Sequence, residues 1–107
     1  MFARMIFTRL KPNQTAQFKE TFERKVLPLL KKQKGFREVI TLTTPGSNDV
    51  VGISFWDRKE DAEAYNTSVY PEVISELTAL IDGNPRVQNC QVSNSTMHNI
   101  PAAKSAA

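Results

Sequence analysis

Two aromatic side chains flank the junction between a predicted strand and a predicted helix, where a ligand would find both a flat wall and a hydrogen-bond donor. Trp56 ends the β-branched and aromatic run 50–56, and Tyr65 follows within the next segment. Aromatic groups at a strand end and on the helix that follows lie near the mouth of any cleft between sheet and helix. This spacing predicts a pocket for a small apolar ligand.

The segment after Trp56 has the spacing of a helix. Asp57 is a predicted N-cap, with Glu60 three residues later, and Ala62 and Tyr65 fall on one side of the predicted helix. Ser68 is a predicted cap for a second helical segment, because Pro71 suits only a first helical turn. That segment carries the clearest apolar stripe of the chain: Val73, Ile74, Leu77, Leu80 and Ile81. It ends at Gly83–Pro85, before a fourth strand over 86–95.

The N-terminal half repeats the order of strand and helix. A strand is predicted over 2–11, with apolar groups on both faces, and a helix capped by Asn13 or Thr15 follows. Pro28 should kink this helix just before it, and Gly35 should end it. The spans 36–44 and 50–56 flank a Pro-Gly-Ser-Asn turn and so predict a hairpin.

The resulting order, β-α-β-β-α-β, predicts an α+β, ferredoxin-like fold in which both helices cover one face of a four-stranded antiparallel sheet. The domain should span 1–98, with 99–107 as a flexible C-terminal tail. Apolar groups on the opposite face then need a partner, and a second copy of the chain, in a homodimer, is the simplest one.

Composition limits the classes of function. The chain has 107 residues, a net charge of +3 and one cysteine, Cys90, so no intrachain disulfide can form and a cytoplasmic location is expected. The basic residues between 19 and 37 are diluted by acidic ones, which favours a solvated helix face over a nucleic-acid surface. No apolar run is long enough to span a membrane. One cysteine and one histidine, His98, predict no dedicated metal site, and His98 is expected in the solvated tail.

Two segments resemble the antibiotic biosynthesis monooxygenase family of dimeric α+β barrels. The first is the helix end and strand entry 26–36, with Pro28, Gly35 and Phe36, and the second is the strand-to-helix segment 55–65. The resemblance extends to about His98. It implies the fold predicted above, a homodimer, and a site between sheet and helices.

The resemblance further implies a cofactor-independent monooxygenase acting on a small aromatic of the quinol or polyphenol type. The protein would have to exclude water and stabilise the substrate anion with fixed donors. Tyr65 and Tyr70 would then be the catalytic donors, and Trp56 would stack on the substrate. Thr8 or Asn66 would orient the substrate, and Arg4 or Arg37 would lower its pKa.

The haem-degrading branch of the family is a poorer match, because Thr8, Tyr65 and Ser75 stand where that branch has Asn, Trp and His. No cofactor is therefore predicted. Two alternatives to catalysis stay open: a small-molecule-binding or stress-related barrel, and a dimerisation module whose pocket is filled by its own side chains. A pocket well below a few hundred Å³ would favour the last of these.

Overall fold

A computed structural model of the chain describes residues 1–100. Its strands are β1 (Phe2–Arg9), β2 (Phe36–Thr43), β3 (Asp49–Trp56) and β4 (Arg86–Gln91). Its helices are α1 (Thr15–Thr21), a π-helical stretch (Phe22–Val26), α2 (Leu27–Lys31), α3 (Lys59–Ser68), α4 (Tyr70–Leu77) and a 3-10 turn (Thr78–Leu80).

The four strands form one antiparallel sheet in the order β2-β3-β1-β4. The helices pack on one face of this sheet, and the core between the two layers contains Leu10, Phe18, Val26, Leu30, Val50, Trp56, Ala62, Tyr65, Val73 and Leu77. The ferredoxin-like α+β fold predicted from the order of elements is thereby confirmed.

The π-helical stretch lies directly before Pro28, where the sequence predicts a kink. Proline has no amide proton and its ring crowds the carbonyl of the fourth residue before it, so a regular α-helix cannot pass through this position. The backbone widens instead, and the N–H of Leu27 donates to the carbonyl of Phe22, five residues earlier. The prediction of an interruption is confirmed.

Gly35 lies in the turn between α2, which ends at Lys31, and β2, and it has a φ of 78°. A side chain here would be strained, and a Cβ would also clash with the carboxylate of Asp61. This turn therefore brings the start of β2 close to α3, while the helix ends four residues before the predicted glycine stop.

The predicted caps are wrong. The helices begin at Thr15, Lys59 and Tyr70, and none has a side-chain hydrogen bond at its N-cap. Asp57 instead pairs with Arg37 across the strand ends, and the Ser68 hydroxyl donates to the carbonyl of Ala64. A tertiary ion pair has taken the Asp57 side chain, and a local bond to the preceding helical turn has taken that of Ser68.

Three strands are shorter than predicted, β2 by a single residue. β1 ends at Arg9, because Leu10 leaves β3 and bridges to Ile81. β4 ends at Gln91, which pairs with Phe2, the first residue of β1, and only one further backbone hydrogen bond, from Val92 N–H to the carbonyl of Met1 at 3.0 Å, follows it. β4 pairs only with β1 and is an edge strand, as its polar sequence predicts.

The sheet face away from the helices is partly covered by the segment after β4. His98 packs against Phe55, with ring centroids 5.7 Å apart, and its Nε2 lies 2.9 Å from Oε1 of Glu38. The prediction of a solvated His98 is wrong, because the chain turns back over the sheet. Most of the predicted tail, from residue 101 on, lies outside the described residues.

Candidate functional site

A cavity lies between the helices and the middle of the sheet. Its floor consists of three cross-strand pairs of β1 and β3, namely Arg4 with Ser54, Ile6 with Gly52, and Thr8 with Val50. Tyr65 from α3 and Tyr70 from α4 stand over the end near Arg4. The cavity has a volume of about 70 Å³, enough for several water molecules.

Arg4 is the unusual residue of this cavity. It is only 2% exposed, and among residues 1–100 no carboxylate lies within 4.0 Å of it. Its guanidinium donates to the Asn66 side-chain oxygen and lies 4.1 Å from the Tyr70 ring centroid and 5.4 Å from that of Tyr65. Burial lowers the pKa of Arg4, and the phenolic groups of Tyr70 and Tyr65 oppose that shift. A buried guanidinium whose neighbours are all neutral can still donate hydrogen bonds to an anionic oxygen.

The two tyrosines beside Arg4 are hydrogen-bond donors at neutral pH. Burial raises the pKa of Tyr65 to about 12, although the Arg4 charge acts in the opposite direction. Burial also raises the pKa of Tyr70, against the charge and hydrogen bond of Arg4. Both phenols therefore stay protonated, and neither is a base. Within the described part of the chain, the Tyr65 hydroxyl has no protein hydrogen-bond partner.

Thr8 lines the far end of the cavity, four residues along β1 from Arg4. Its Oγ1 is the one buried side-chain polar atom in the range 1–100 that has no hydrogen-bond partner. An unpaired buried hydroxyl costs about 1–3 kcal/mol. The Thr8 hydroxyl thus lacks a hydrogen bond at this end of the cavity.

Trp56 and Asn66 do not line the cavity. Trp56 is fully buried behind Tyr65, with ring centroids 5.0 Å apart, and its indole N–H donates to Ser54 Oγ at 2.9 Å. Asn66 is exposed and reaches the site only through its bond to Arg4. The structure makes Trp56 part of the core and Asn66 a support for the guanidinium.

The structure separates the two arginines that the sequence left as alternatives. Arg37 is exposed and pairs with Asp57, so it does not reach the cavity, whereas Arg4 lines it. His98 lies on the opposite sheet face. In the part of the chain that the structure describes, no three His, Cys, Asp or Glu side chains are grouped as metal ligands would be.

The sequence reasoning did not assign several lining residues to the site, and three of these belong to the cavity floor: Ile6, Gly52 and Ser54. The signal was present, because alternate residues of a strand face the same side, and Ile6 stands between Arg4 and Thr8. Gly52 faces Ile6 across the pair, and a Cβ built there would meet nothing within 4 Å. The absent side chain thus leaves the middle of the floor open.

A second, larger cleft adjoins the cavity. It has a volume of about 380 Å³ and lies between the first helical segment and β2. Phe18, Phe22, Val39 and Thr41 line both spaces. Phe22 is also the first residue of the π-helical stretch, and its ring lies 5.7 Å from that of Phe18. A thin partition of side chains therefore separates the buried site from the outer cleft.

No helix among residues 1–100 is long and apolar enough to cross a membrane.

No curated protein sequence matches the chain. Solved structures share its fold: the monooxygenase from the gene ActVA-Orf6 of Streptomyces coelicolor, with the ligand nanaomycin D, aligns with a TM-score of 0.75 at 14% identity, covering 94% of this chain and 92% of that one.

SnoaB, a cofactor-independent oxygenase from Streptomyces nogalater, aligns with a TM-score of 0.74 at 15% sequence identity, and the alignment covers 91% of this chain and 97% of SnoaB. The NE2512 protein of unknown function from Nitrosomonas europaea aligns with a TM-score of 0.73 at 17% sequence identity, and the alignment covers 94% of each chain. At such identities the likeness shows the fold alone.

The sequence model of the antibiotic biosynthesis monooxygenase family matches residues 1–80, about three quarters of the chain. The chain belongs to the antibiotic biosynthesis monooxygenase family.

Proposed function

We propose that this protein is a cofactor-independent monooxygenase that oxidises a small aromatic of the quinol or polyphenol type in the Arg4 cavity. The observation that carries the proposal is the buried, unpaired charge of Arg4, which lines an apolar cavity beside two protonated phenols. Family membership supports the reaction class, as does the description of SnoaB as a cofactor-independent oxygenase. The ligand nanaomycin D in the Streptomyces coelicolor relative supports an aromatic substrate.

Arg4 and Tyr65 would stabilise the substrate as its anion. An anionic oxygen placed against the guanidinium satisfies the buried cation, and the Tyr65 hydroxyl donates a second hydrogen bond to it. The substrate pKa falls because its charged form is the one that the site stabilises. The described cavity residues include no carboxylate or histidine, so the substrate proton leaves to water.

The electron-rich anion then reduces dioxygen. For a substrate with a reactive methylene, such as an anthrone, one oxygen atom becomes the new carbonyl oxygen. The other leaves as water together with the two methylene hydrogens. Substrate and dioxygen are thus consumed one to one, the substrate is oxidised by four electrons and dioxygen is reduced by four. The protein contributes position, desolvation and charge, and Arg4 and Tyr65 end the cycle unchanged.

An aromatic ring requires the site to open. A cavity of about 70 Å³ is below the few hundred Å³ of typical ligand pockets, while the adjoining cleft has about 380 Å³. We propose that the substrate occupies both by displacing Phe22, because this side chain lines both spaces and begins the helical stretch of irregular hydrogen bonding. π-Helical turns often occur at functional sites.

The test is oxygen consumption with anthrone as the probe, measured with an oxygen electrode against the uncatalysed rate. We expect anthraquinone to form in step with oxygen uptake by the wild-type protein. Tyr65→Phe should lower the rate about tenfold, which is about 1.4 kcal/mol of transition-state stabilisation. Arg4→Gln should lower it further, because a neutral amide cannot offset the substrate charge.

Arg9→Gln is the matched control. Arg9 lies on the same strand as Arg4, but it is exposed and pairs with Asp49 at 3.0 Å. This variant should keep the wild-type rate. Equal rates for Arg4→Gln and Arg9→Gln would contradict the proposal, since Arg4 would then have no part in the reaction.

The small volume of the cavity favours a second candidate, a dimerisation module whose pocket is filled by its own side chains. This candidate predicts no uptake of oxygen above background with any quinol and no binding of naphthols or anthrones. A non-catalytic binding protein would bind these compounds, with a dependence on Arg4, and would consume no oxygen. The same set of variants therefore separates the three functions.

We also propose that the protein forms a homodimer through the sheet face opposite the helices. Met5, Phe7, Ile40, Val51 and Ile53 lie on this face by their register, and Leu42 beside them is 50% exposed. Only part of the face is covered by the segment that carries His98. Such an apolar face is stabilised by a second copy.

Sedimentation tests the dimer. We expect a species of twice the 12.0 kDa chain mass at micromolar concentration, with an interface of more than about 1,200 Å² in total. Ile53→Glu should shift the protein toward the monomer, because a charge would be buried without a partner. A wild-type protein that stays monomeric would refute this proposal.

A further inference from the structure

We infer that Thr8 recognises a second polar group of the ligand, at the end of the site opposite Arg4. This inference rests on the proposed function, because it takes the ligand's anionic oxygen to lie at Arg4. Thr8 thereby becomes a specificity-determining residue, which selects ligands that are polar at both ends.

The floor of the cavity has two polar ends and an apolar middle. The pairs Arg4–Ser54 and Thr8–Val50 are separated by the pair Ile6–Gly52. The four steps of extended strand from Arg4 to Thr8 span about 13 Å between Cα atoms. A ligand that lies along β1 therefore crosses the flat centre, where Gly52 has no side chain and a Cβ would meet nothing within 4 Å.

At the Arg4 end, the two polar side chains of the cavity floor, Arg4 and Ser54, already have partners within the protein. The guanidinium donates to Asn66, and Ser54 Oγ accepts from the Trp56 indole and donates to the carbonyl of Arg4 at 3.5 Å. At the other end Thr8 Oγ1 has none among residues 1–100. This oxygen is also shielded from water, since less than 1 Å² of it is accessible.

An unsatisfied hydroxyl is not needed for packing at this position. Valine has nearly the shape of threonine, and on a β-strand it would fill the same space without the cost of an unpaired donor. The hydroxyl gains a partner when the site opens and a ligand enters. Because a hydroxyl both donates and accepts, the ligand group can be a carbonyl or a second hydroxyl.

The experiment compares two fluorescent probes, naphthalene-2,6-diol and 2-naphthol, which differ by one hydroxyl at the end away from the first. Their dissociation constants are measured by fluorescence with the wild-type protein, Thr8→Val and Thr8→Ser. We expect the wild type to prefer the diol about tenfold. Thr8→Ser should keep most of this preference and Thr8→Val should abolish it, mainly by weakening the diol.

The ratio of the two constants within each variant is unaffected by a general loss of folded protein. Thr8→Val should also unfold at a urea concentration equal to or above that of the wild type, which a structurally required hydroxyl would not allow. A preference for the diol that survives in Thr8→Val overturns the inference. So does a wild-type protein that binds both probes equally.

Arg4→Gln distinguishes this failure from failure of the proposed function. If both probes bind the wild type and both weaken in Arg4→Gln, the site stands and only the role of Thr8 is decided by the ratio. If Arg4→Gln binds both probes as the wild type does, the anion site at Arg4 is wrong, and the inference about Thr8 falls with it.

Discussion

Replacing Arg4 by methionine should leave the fold as stable as before or make it more stable, although Arg4 is one of the most buried residues of the sheet. Methionine keeps the length and flexibility of the side chain and removes the charge. Burying a cation costs several kcal/mol, and Arg4 has no carboxylate in the described residues to offset that cost. The substitution thus removes a cost that only a ligand would repay.

The opposing losses are smaller. The hydrogen bond to Asn66 contributes little, since Asn66 is exposed and its oxygen regains water in the variant. The contacts with the Tyr65 and Tyr70 rings contribute about 1–2 kcal/mol together. The balance predicts a change between zero and about 2 kcal/mol in favour of the folded variant. Tightly placed groups at functional sites commonly lower stability in this way.

The assay is equilibrium unfolding in urea, followed by the fluorescence of Trp56 and by circular dichroism. All variants are compared at one protomer concentration, because association would add to the apparent stability. Arg9→Met is the control for loss of an exposed arginine on the same strand, and it should change the free energy of unfolding by less than about 1 kcal/mol. A loss of more than about 2 kcal/mol in Arg4→Met would refute the reasoning and make Arg4 a structural residue.

Three further outcomes are expected. Tyr65→Phe should remove part of the alkaline loss of stability. The Tyr65 phenol ionises near pH 10 in the unfolded chain and near pH 12 in the folded protein, so the wild type loses about 2–3 kcal/mol of folding free energy across pH 10–12. The variant lacks this phenol and should keep that free energy, as urea unfolding at each pH would show. Gly35→Ala should cost about 1–3 kcal/mol, because of its φ of 78° and the clash with Asp61, whereas Gly52→Ala should be neutral or stabilising in the same thermal melts. Trp56→Phe should destabilise the core by about 1–3 kcal/mol and leave the affinity for naphthalene-2,6-diol within twofold; a tenfold loss of affinity would return Trp56 to the ligand site.

The sequence alone determined the order and type of the elements. Alternation and helical spacing located all four strands and the helical segments, because these patterns follow from local backbone geometry. Pro28 marked the interruption of the first helical region and Gly35 the turn into β2 for equally local reasons, a missing amide proton and a positive φ. The family resemblance rested on the same segments.

The helix caps and strand ends were not predictable in this way. Asp57 has the residue type of a cap, but Arg37 lies close enough in the fold to take its carboxylate. The end of β4 depends on where β1 begins, since a ladder stops when its partner strand stops. Such choices depend on which distant groups compete for a side chain, and local sequence does not record that competition.

The candidate site shows the same division. The sequence supplied Arg4, Thr8, Tyr65 and Tyr70 as chemically suitable residues, and the tertiary structure brought these four to one cavity while placing Trp56 in the core. The reason lies in the pairing of β1 with β3, which faces alternate residues of two distant segments toward the same helices. The register of that pairing decides that the charge of Arg4 is buried without a partner, and no residue by itself specifies this register.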